Sequence, residues 1–311
     1  MAGEPETGHT MNQSGNQCSR QGDKQTQWIR EVHKETVCLG FKVEKLLFSG
    51  QSPFQKIEII KTAGHGKMLL NDGIVMLSEK DEFIYHEMIA HVPLFVHPAP
   101  RRVLIIGGGD GGTAREVLKH ETVERVVMVE IDQMVVDACR EHIPSVSGAL
   151  GDPRLEIVFA DGVEYIKNSD EIFDVALIDS TDPIGPAMPL FDSVFYENTA
   201  DRLAEDGIMI TQSESPFYDT EIQLSMFKNQ RPHFKKLHIY LFSTLTYPGG
   251  LWSFGFASKK QCPARDLDEK RVHASRIKTR YYNAQIHRAA FALPEFTREN
   301  LAGIVDPVPA G

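Results

Sequence analysis

One short run constrains this chain more than any other: GGGDGG, from Gly107 to Gly112. It follows the apolar stretch VLII and precedes the helical pattern AREVLKH. A glycine loop between a strand and a helix needs backbone freedom for a tight turn and room for close approach. Such a unit closes only when the strand joins a parallel sheet. The flanking pattern agrees. VLII, RVVMVEI, LEIVFA, FDVALID and GIMITQ are short, β-branched and continuous, as strands covered on both faces should be. AREVLKH, QMVVDACREH and VEYIKN supply the helices between them. The expected fold class is α/β, with a Rossmann-like, doubly wound, mostly parallel sheet.

A small antiparallel β domain precedes this unit. TVCLGFKVEKLLF, QKIEIIKT and GKMLLNDGIVML read as strands, with Asp72-Gly73 suited to a tight hairpin. Ser78, with Asp81 three residues on, reads as a capping box opening an amphipathic helix over EKDEFIYHEMIAHVPLF. KKLHIYLFSTLTYPGGLWSFGFASKK reads as a closing antiparallel pair about Pro248-Gly249-Gly250. The expected division is a disordered polar tail over 1–27, a β domain over 28–78, the catalytic domain over 79–303 and a tail over 304–311.

Composition narrows the chemistry. The chain has 311 residues and a formal net charge of −10, from 33 basic and 43 acidic side chains. That balance disfavours nucleic acid as a partner and suits a cationic ligand. No uninterrupted apolar run is long enough to span a membrane, and the polar N-terminus lacks a secretory core. The four cysteines, Cys18, Cys38, Cys139 and Cys262, form no CxxC, and the 12 histidines show no ligand spacing. The expectation is a cytoplasmic protein with reduced thiols and no metal.

Read by spacing alone, Gly107, Gly109 and Gly112 with Glu130 fit either a nicotinamide or an S-adenosylmethionine type of nucleotide site. Asp110 separates the two. A carboxylate inside the loop repels a pyrophosphate and attracts an ammonium or sulfonium. Asp161, Asp179 and Asp182 recur at the carboxyl ends of later strands, where the crevice of a doubly wound sheet lies. In FDVALIDSTDPIGPAMPLF, Asp179 is suited to accept a proton from an amine nucleophile and Asp182 to anchor the same ligand. The loop through Pro183, Gly185 and Pro186 is placed to fold over them.

In combination, GGGDGG, VEID, ADG, DSTDPIGPA, QSESPF and TYPGG resemble the spermidine synthases, particularly the bacterial ones, from about Thr36 to Leu301. The resemblance implies the fold of class I S-adenosylmethionine methyltransferases and aminopropyl transfer from decarboxylated S-adenosylmethionine, a co-substrate rather than a resident cofactor, to putrescine. By it, Gln55 and Glu130 hold the ribose and sulfur region, Asp161-Gly162 the adenine amine, and Asp110 the propylamine ammonium. Pro186 packs on the adenine. Asp179 is the proton acceptor with Asp182 beside it, while Tyr85, His86, Tyr247 and Trp252 line the amine channel. It also implies a homodimer or homotetramer. His86 stands where eukaryotic members tend to carry Gln, Gln133 where Pro is frequent, and Leu245 where Pro is common. Competing readings are a putrescine N-methyltransferase, a dehydrogenase and a non-catalytic ligand-binding protein.

Overall fold

In the computed structural model the described residues are 27–181 and 185–307. Asp182, expected to anchor the ligand, and most of the polar N-terminal segment lie outside them, as does the side chain of Pro186.

The first sheet is antiparallel and runs β1–β2–β3–β4–β5 in sequence order: Gln27–His33, Val37–Gln51, Lys56–Thr62, Gly66–Asn71 and Ile74–Ser78. Asp72 and Gly73 join β4 to β5 with φ of 49° and 83°. Positive φ at both central residues gives a hairpin turn that matches the strand twist. β1 is a strand that the sequence pattern does not single out. Its apolar residues Trp28 and Val32 are exposed, and Glu31 is buried instead. The inner face of the sheet packs Ile57, Ile59, Leu69 and Leu77 against Val135, Ala138 and Cys139 of the helix over Gln133–His142.

The second sheet has the order β11–β12–β10–β9–β6–β7–β8. β6 to β10 are Arg102–Gly107, Arg125–Glu130, Leu155–Phe159, Phe173–Asp179 and Leu203–Gln212. These five pair in parallel, while β11 (Lys236–Ser243) and β12 (Leu251–Ser258) close one edge antiparallel about the Pro248-Gly249-Gly250 turn. Alternate residues explain the continuous apolar runs. Val103, Ile105, Val126 and Met128 enter one core, while Leu104, Ile106, Val127 and Val129 enter the other. The helices in chain order are α1 (Glu82–Val96), α2 (Gly112–Val117), α3 (Gln133–His142), α4 (Pro144–Ser147), α5 (Gly162–Asn168), α6 (Ser193–Asp201) and α7 (Thr220–Gln230). Three short C-terminal helices follow at Glu269–Ala274, Ala284–Ala290 and Glu295–Asn300.

Two expectations need correction around α1. The helix starts at Glu82, and the Asp81 side chain makes no cap bond to it. The Ser78 hydroxyl donates to Asp81, whose carboxylate is turned toward Thr244–Thr246 instead. Nor is α1 amphipathic, since every residue from Tyr85 to Val96 is buried. Its polar groups are satisfied internally. Glu87 accepts the backbone N–H groups of Arg280, Tyr281 and Tyr282, and His91 bonds Glu116 and His120. At the C-terminus, residues 304–306 are held against the sheet: the Leu237 N–H donates to Asp306, and Ile304 and Val305 pack on the core.

Phe254 of β12 is fully buried under Tyr85, Tyr240 and Phe242, with ring centroids at 4.9, 5.3 and 4.7 Å. Phe254→Ala is expected to lower the unfolding free energy by about 3–5 kcal/mol, read from the urea midpoint. A change under about 1 kcal/mol would place the weight of this core elsewhere.

Candidate active site

The site forms where the order of the parallel sheet reverses, between β6 and β9, the position at which an open α/β sheet leaves a crevice. Gly107 and Asp179 are register partners across that seam, and the Gly108 N–H donates to the Asp179 carbonyl at 3.0 Å. Gly107 has φ of 81°, and a Cβ there would lie 2.1 Å from that carbonyl oxygen. Only glycine allows the loop and the Asp179 strand end to meet so closely.

A cavity of about 430 Å³ opens at this seam. Its walls include Gln55, Tyr85, His86, Asp110, Glu130, Asp161, Gly162, Asp179, Tyr247 and Trp252, brought from both sheets and from α1. The described residues that the resemblance assigns to the site therefore all line one space.

Asp179 is held from two sides: the Tyr85 hydroxyl donates to Oδ1 at 2.7 Å and the Thr113 hydroxyl to Oδ2 at 2.6 Å. Removal from bulk water and the nearby Asp110 charge raise its proton affinity, outweighing His86 and the two hydroxyls. Burial and the Asp179 charge likewise push the Tyr85 phenol up, so it stays a donor.

Asp110 accepts the Gly112 N–H at 2.7 Å through Oδ1, and His86 Nε2 lies 3.3 Å from the same oxygen. The other ring nitrogen of His86 faces Glu82 Oε2 at 2.6 Å. A carboxylate on each side favours the imidazolium, the form in which both ring nitrogens carry a proton. Burial opposes that charge, but Asp110 and then Glu82 outweigh it and raise His86 to about 9. Burial would raise Glu82, yet its bonds to His86 and Arg115 pull it down to about 2. Arg115 meets Glu82 with two nitrogens, at 2.7 and 3.2 Å.

Glu130 ends β7, where the Gly109 N–H donates to Oε2 at 3.1 Å and the Asp132 N–H to Oε1 at 2.8 Å. Burial raises it to about 7 against those two amides, helped by Asp132 and Asp110. Asp161 caps α5 through Val163 N at 2.8 Å, so the helix-capping and cavity-lining positions coincide in one residue. Beside it, Gly162 sits over Ile106, and a Cβ on Gly162 would lie 2.5 Å from Ile106 Cγ2. The Tyr247 hydroxyl donates to the Met76 carbonyl at 2.5 Å, and the Trp252 indole to the Pro248 carbonyl at 3.0 Å. Both rings are thereby fixed as walls.

Several contributors escaped the sequence reading. Asp132 caps α3 at Met134 N and accepts from Ser52 Oγ at 2.6 Å and Gln55 Nε2 at 3.1 Å. It thus pins the β2–β3 loop beside Glu130. The VEID run carries it in plain view, but a cap and a cross-domain clamp look alike without the partner. Glu31 from β1, Thr113 from α2 and Gln212 from the end of β10 are further examples. Glu31 and Thr113 lie outside the motifs quoted from the sequence, and Gln212 opens QSESPF without a role that could be read there, so the fold is what places all three at the site.

The chain was compared with known proteins. Residues 82–269 match the model of the spermine/spermidine synthase domain, and residues 27–79 that of the spermidine synthase tetramerisation domain. A polyamine aminopropyltransferase of Caldicellulosiruptor saccharolyticus is 45% identical over 274 residues, covering 88% of this chain and 97% of that protein. One from Alkaliphilus metalliredigens is 45% identical over 276 residues, with the same coverage. Among solved structures, a spermidine synthase in complex with the transition-state analogue AdoDATO superposes with TM-score 0.88 at 44% identity, covering 89% of this chain and 96% of that one. Spermidine synthase from Thermotoga maritima gives 0.86 at 43%, covering 89% and 95%.

The Glu82–His86 pair generates a pH prediction. A histidine raised from 6.5 to about 9 contributes stability that is complete below pH 6.5 and lost as pH rises through 9. A glutamate lowered from 4.5 to about 2 contributes stability that is present above 4.5 and lost as pH falls through 2. The gap in thermal midpoint between wild type and His86→Gln should therefore be widest between those limits, near pH 6, and shrink toward pH 10. A gap independent of pH across that range would mean that His86 is neutral.

Proposed function

The chain belongs to the spermine/spermidine synthase family and is a polyamine aminopropyltransferase; from that premise we propose that it makes spermidine, with decarboxylated S-adenosylmethionine as donor, putrescine as acceptor and Asp179 as the base. The observation that carries this reading is the position of Asp179. It stands at the switch point, its proton affinity raised, one oxygen on a Tyr85 hydroxyl and the other on Thr113.

The chemistry sets the requirements. A neutral amine attacks the propyl methylene next to the sulfonium, the C–N bond forms, and the C–S pair leaves with 5′-methylthioadenosine. The new secondary ammonium keeps the two protons of the free amine, and its positive charge replaces the one the sulfonium loses. Putrescine arrives as a dication, so a carboxylate must accept a proton from the attacking nitrogen. A carboxylate with raised proton affinity does this nearer neutrality than an ordinary one.

Asp110 suits the donor's ammonium. Its contacts to Gly112 and His86 both use Oδ1, and among the described residues no bond engages Oδ2. The primary amine of the decarboxylated donor meets the Asp110 carboxylate as a cation. The intact cofactor would bring its own carboxylate against it, which disfavours the methyltransferase reading. Glu130 and Gln55, locked together through Asp132, take the ribose end, and Asp161-Gly162 the adenine. At the acceptor end, Gln212 carries a buried Oε1 with no hydrogen-bond partner among the described residues, and Glu31 lines the same cavity. An ammonium at the far end of a diamine would supply the donor that Gln212 lacks. Asp182 is proposed to act beside Asp179. The match of residues 27–79 to a tetramerisation domain supports a homo-oligomer. The free thiols of Cys38, Cys139 and Cys262 suit a cytoplasmic enzyme.

Product analysis tests the reading. Putrescine with decarboxylated S-adenosylmethionine should give spermidine and 5′-methylthioadenosine, while the intact cofactor gives no methylated amine. Asp179→Asn should reduce kcat by about 10²–10⁴-fold at neutral pH, the range for losing a positioned base. Near-normal turnover by that variant would remove Asp179 from its role, and N-methylputrescine would overturn the choice of donor.

A further inference from the structure

Asp81 does not line the cavity, yet its carboxylate joins two of the cavity's walls. It is 3% exposed and sits at the entry to α1. Oδ2 accepts the backbone N–H of Leu245 at 2.8 Å and of Thr246 at 3.2 Å, and the Thr244 hydroxyl at 2.9 Å. Oδ1 accepts the Ser78 hydroxyl at 2.5 Å, and the Thr246 hydroxyl lies 3.2 and 3.0 Å from Oδ1 and Oδ2. Among the described residues no lysine, arginine or histidine pairs with it, so hydrogen bonds alone balance its charge.

What Asp81 connects gives it meaning. One helical turn after it comes Tyr85, which donates to Asp179. The segment it grips runs directly into Tyr247, and that ring faces Tyr85 edge-on at 6.3 Å and Trp252 at 4.9 Å. The three aromatic walls therefore belong to two segments that one carboxylate holds in register. The geometry points to Asp81 as a positioning residue that sets the spacing of the Tyr85 and Tyr247 walls, and so the length and width of acceptor the channel takes. This inference rests on the acceptor reading given above. Asp81 touches no substrate and acts only through those two tyrosines.

The chemistry of the grip predicts which substitution restores it. The oxygen facing Leu245 and Thr246 meets two backbone N–H groups that cannot turn away. The other oxygen meets hydroxyls, which can rotate and accept instead. Asparagine can present its oxygen to the amides and its NH2 to Ser78 and Thr246. Alanine takes the acceptor away from the Leu245 N–H and leaves the Thr246 N–H only the Thr244 hydroxyl at 3.4 Å.

The test is steady-state kinetics of wild type, Asp81→Ala and Asp81→Asn with putrescine and with cadaverine, alongside the dissociation constant for 5′-methylthioadenosine. In Asp81→Ala the KM for putrescine should rise at least about tenfold, and the preference between the two diamines should shrink, since one methylene is discriminated only by a well-set wall. Binding of 5′-methylthioadenosine should stay within about twofold, and Asp81→Asn should recover most of the loss. Equal weakening toward both ligands, or no change toward either, would overturn the proposal. If Asp81→Ala fails to fold, Thr246→Val removes one hydroxyl from the grip and should give a smaller shift in the same direction. Hydrogen exchange supplies a readout that does not depend on the acceptor. The Leu245 and Thr246 amides should be protected in wild type and exchange faster in Asp81→Ala or Thr246→Val. Unchanged exchange would overturn the clamp even if wild type formed no product from any diamine, a result that would separately sink the acceptor reading.

Discussion

The rest of the site depends on a backbone contact, the meeting of Gly107 with Asp179 at the reversal of the parallel sheet. The two residues are register partners, and the Gly108 N–H is donated to the Asp179 carbonyl. No side chain fits at Gly107. Once that seam is closed, the glycine loop and the fourth parallel strand deliver Asp110 and Asp179 to the same space. The raised proton affinity of Asp179 follows from burial together with that proximity to Asp110.

Two negative charges at one seam demand compensation, and the fold supplies it as an alternating series. Asp110 faces His86, His86 faces Glu82, Glu82 faces Arg115, and Arg115 faces Glu116. Each member is buried or half-buried and is held by opposite charge. Removing one member would strand its neighbours, whereas the intact series keeps the cavity acidic without unpaired buried charge. This explains why α1 is buried all round. It runs through the catalytic domain as a carrier of charged and hydrogen-bonding groups, not as a surface helix with an apolar stripe.

The small antiparallel sheet is part of the site's support. It covers α3 with its apolar face, and through the β2–β3 loop it places Gln55 against Asp132. Asp132 also caps α3 and donates its N–H to Glu130, so one residue unites the helix start, Glu130 and the neighbouring sheet. Asp81 makes the corresponding link between the start of α1 and the Thr244–Thr246 segment. Both are carboxylates just outside the cavity, and both are spent on hydrogen bonds that fix side chains lying within it.

The sequence alone determined the alternating core and the glycine loop, because burial on both faces and positive φ each select residue types locally. It also marked the strand-end acids Asp110, Glu130, Asp161 and Asp179, since a doubly wound sheet sends its ligand to those ends. It misread Ser78 and Asp81 as a capping box, because a cap and a long-range acceptor use the same residues and differ only in what lies opposite. It overlooked β1, whose Trp28 and Val32 face outward while Glu31 faces the cavity. Tertiary structure alone decided that His86 lies between two carboxylates, that Tyr247 donates its hydroxyl to Met76, and that Asp132 and Asp81 each bond two separate segments. Each of those properties belongs to groups that meet only in the folded chain, and a charge or a hydrogen bond has no value until its partner is in place.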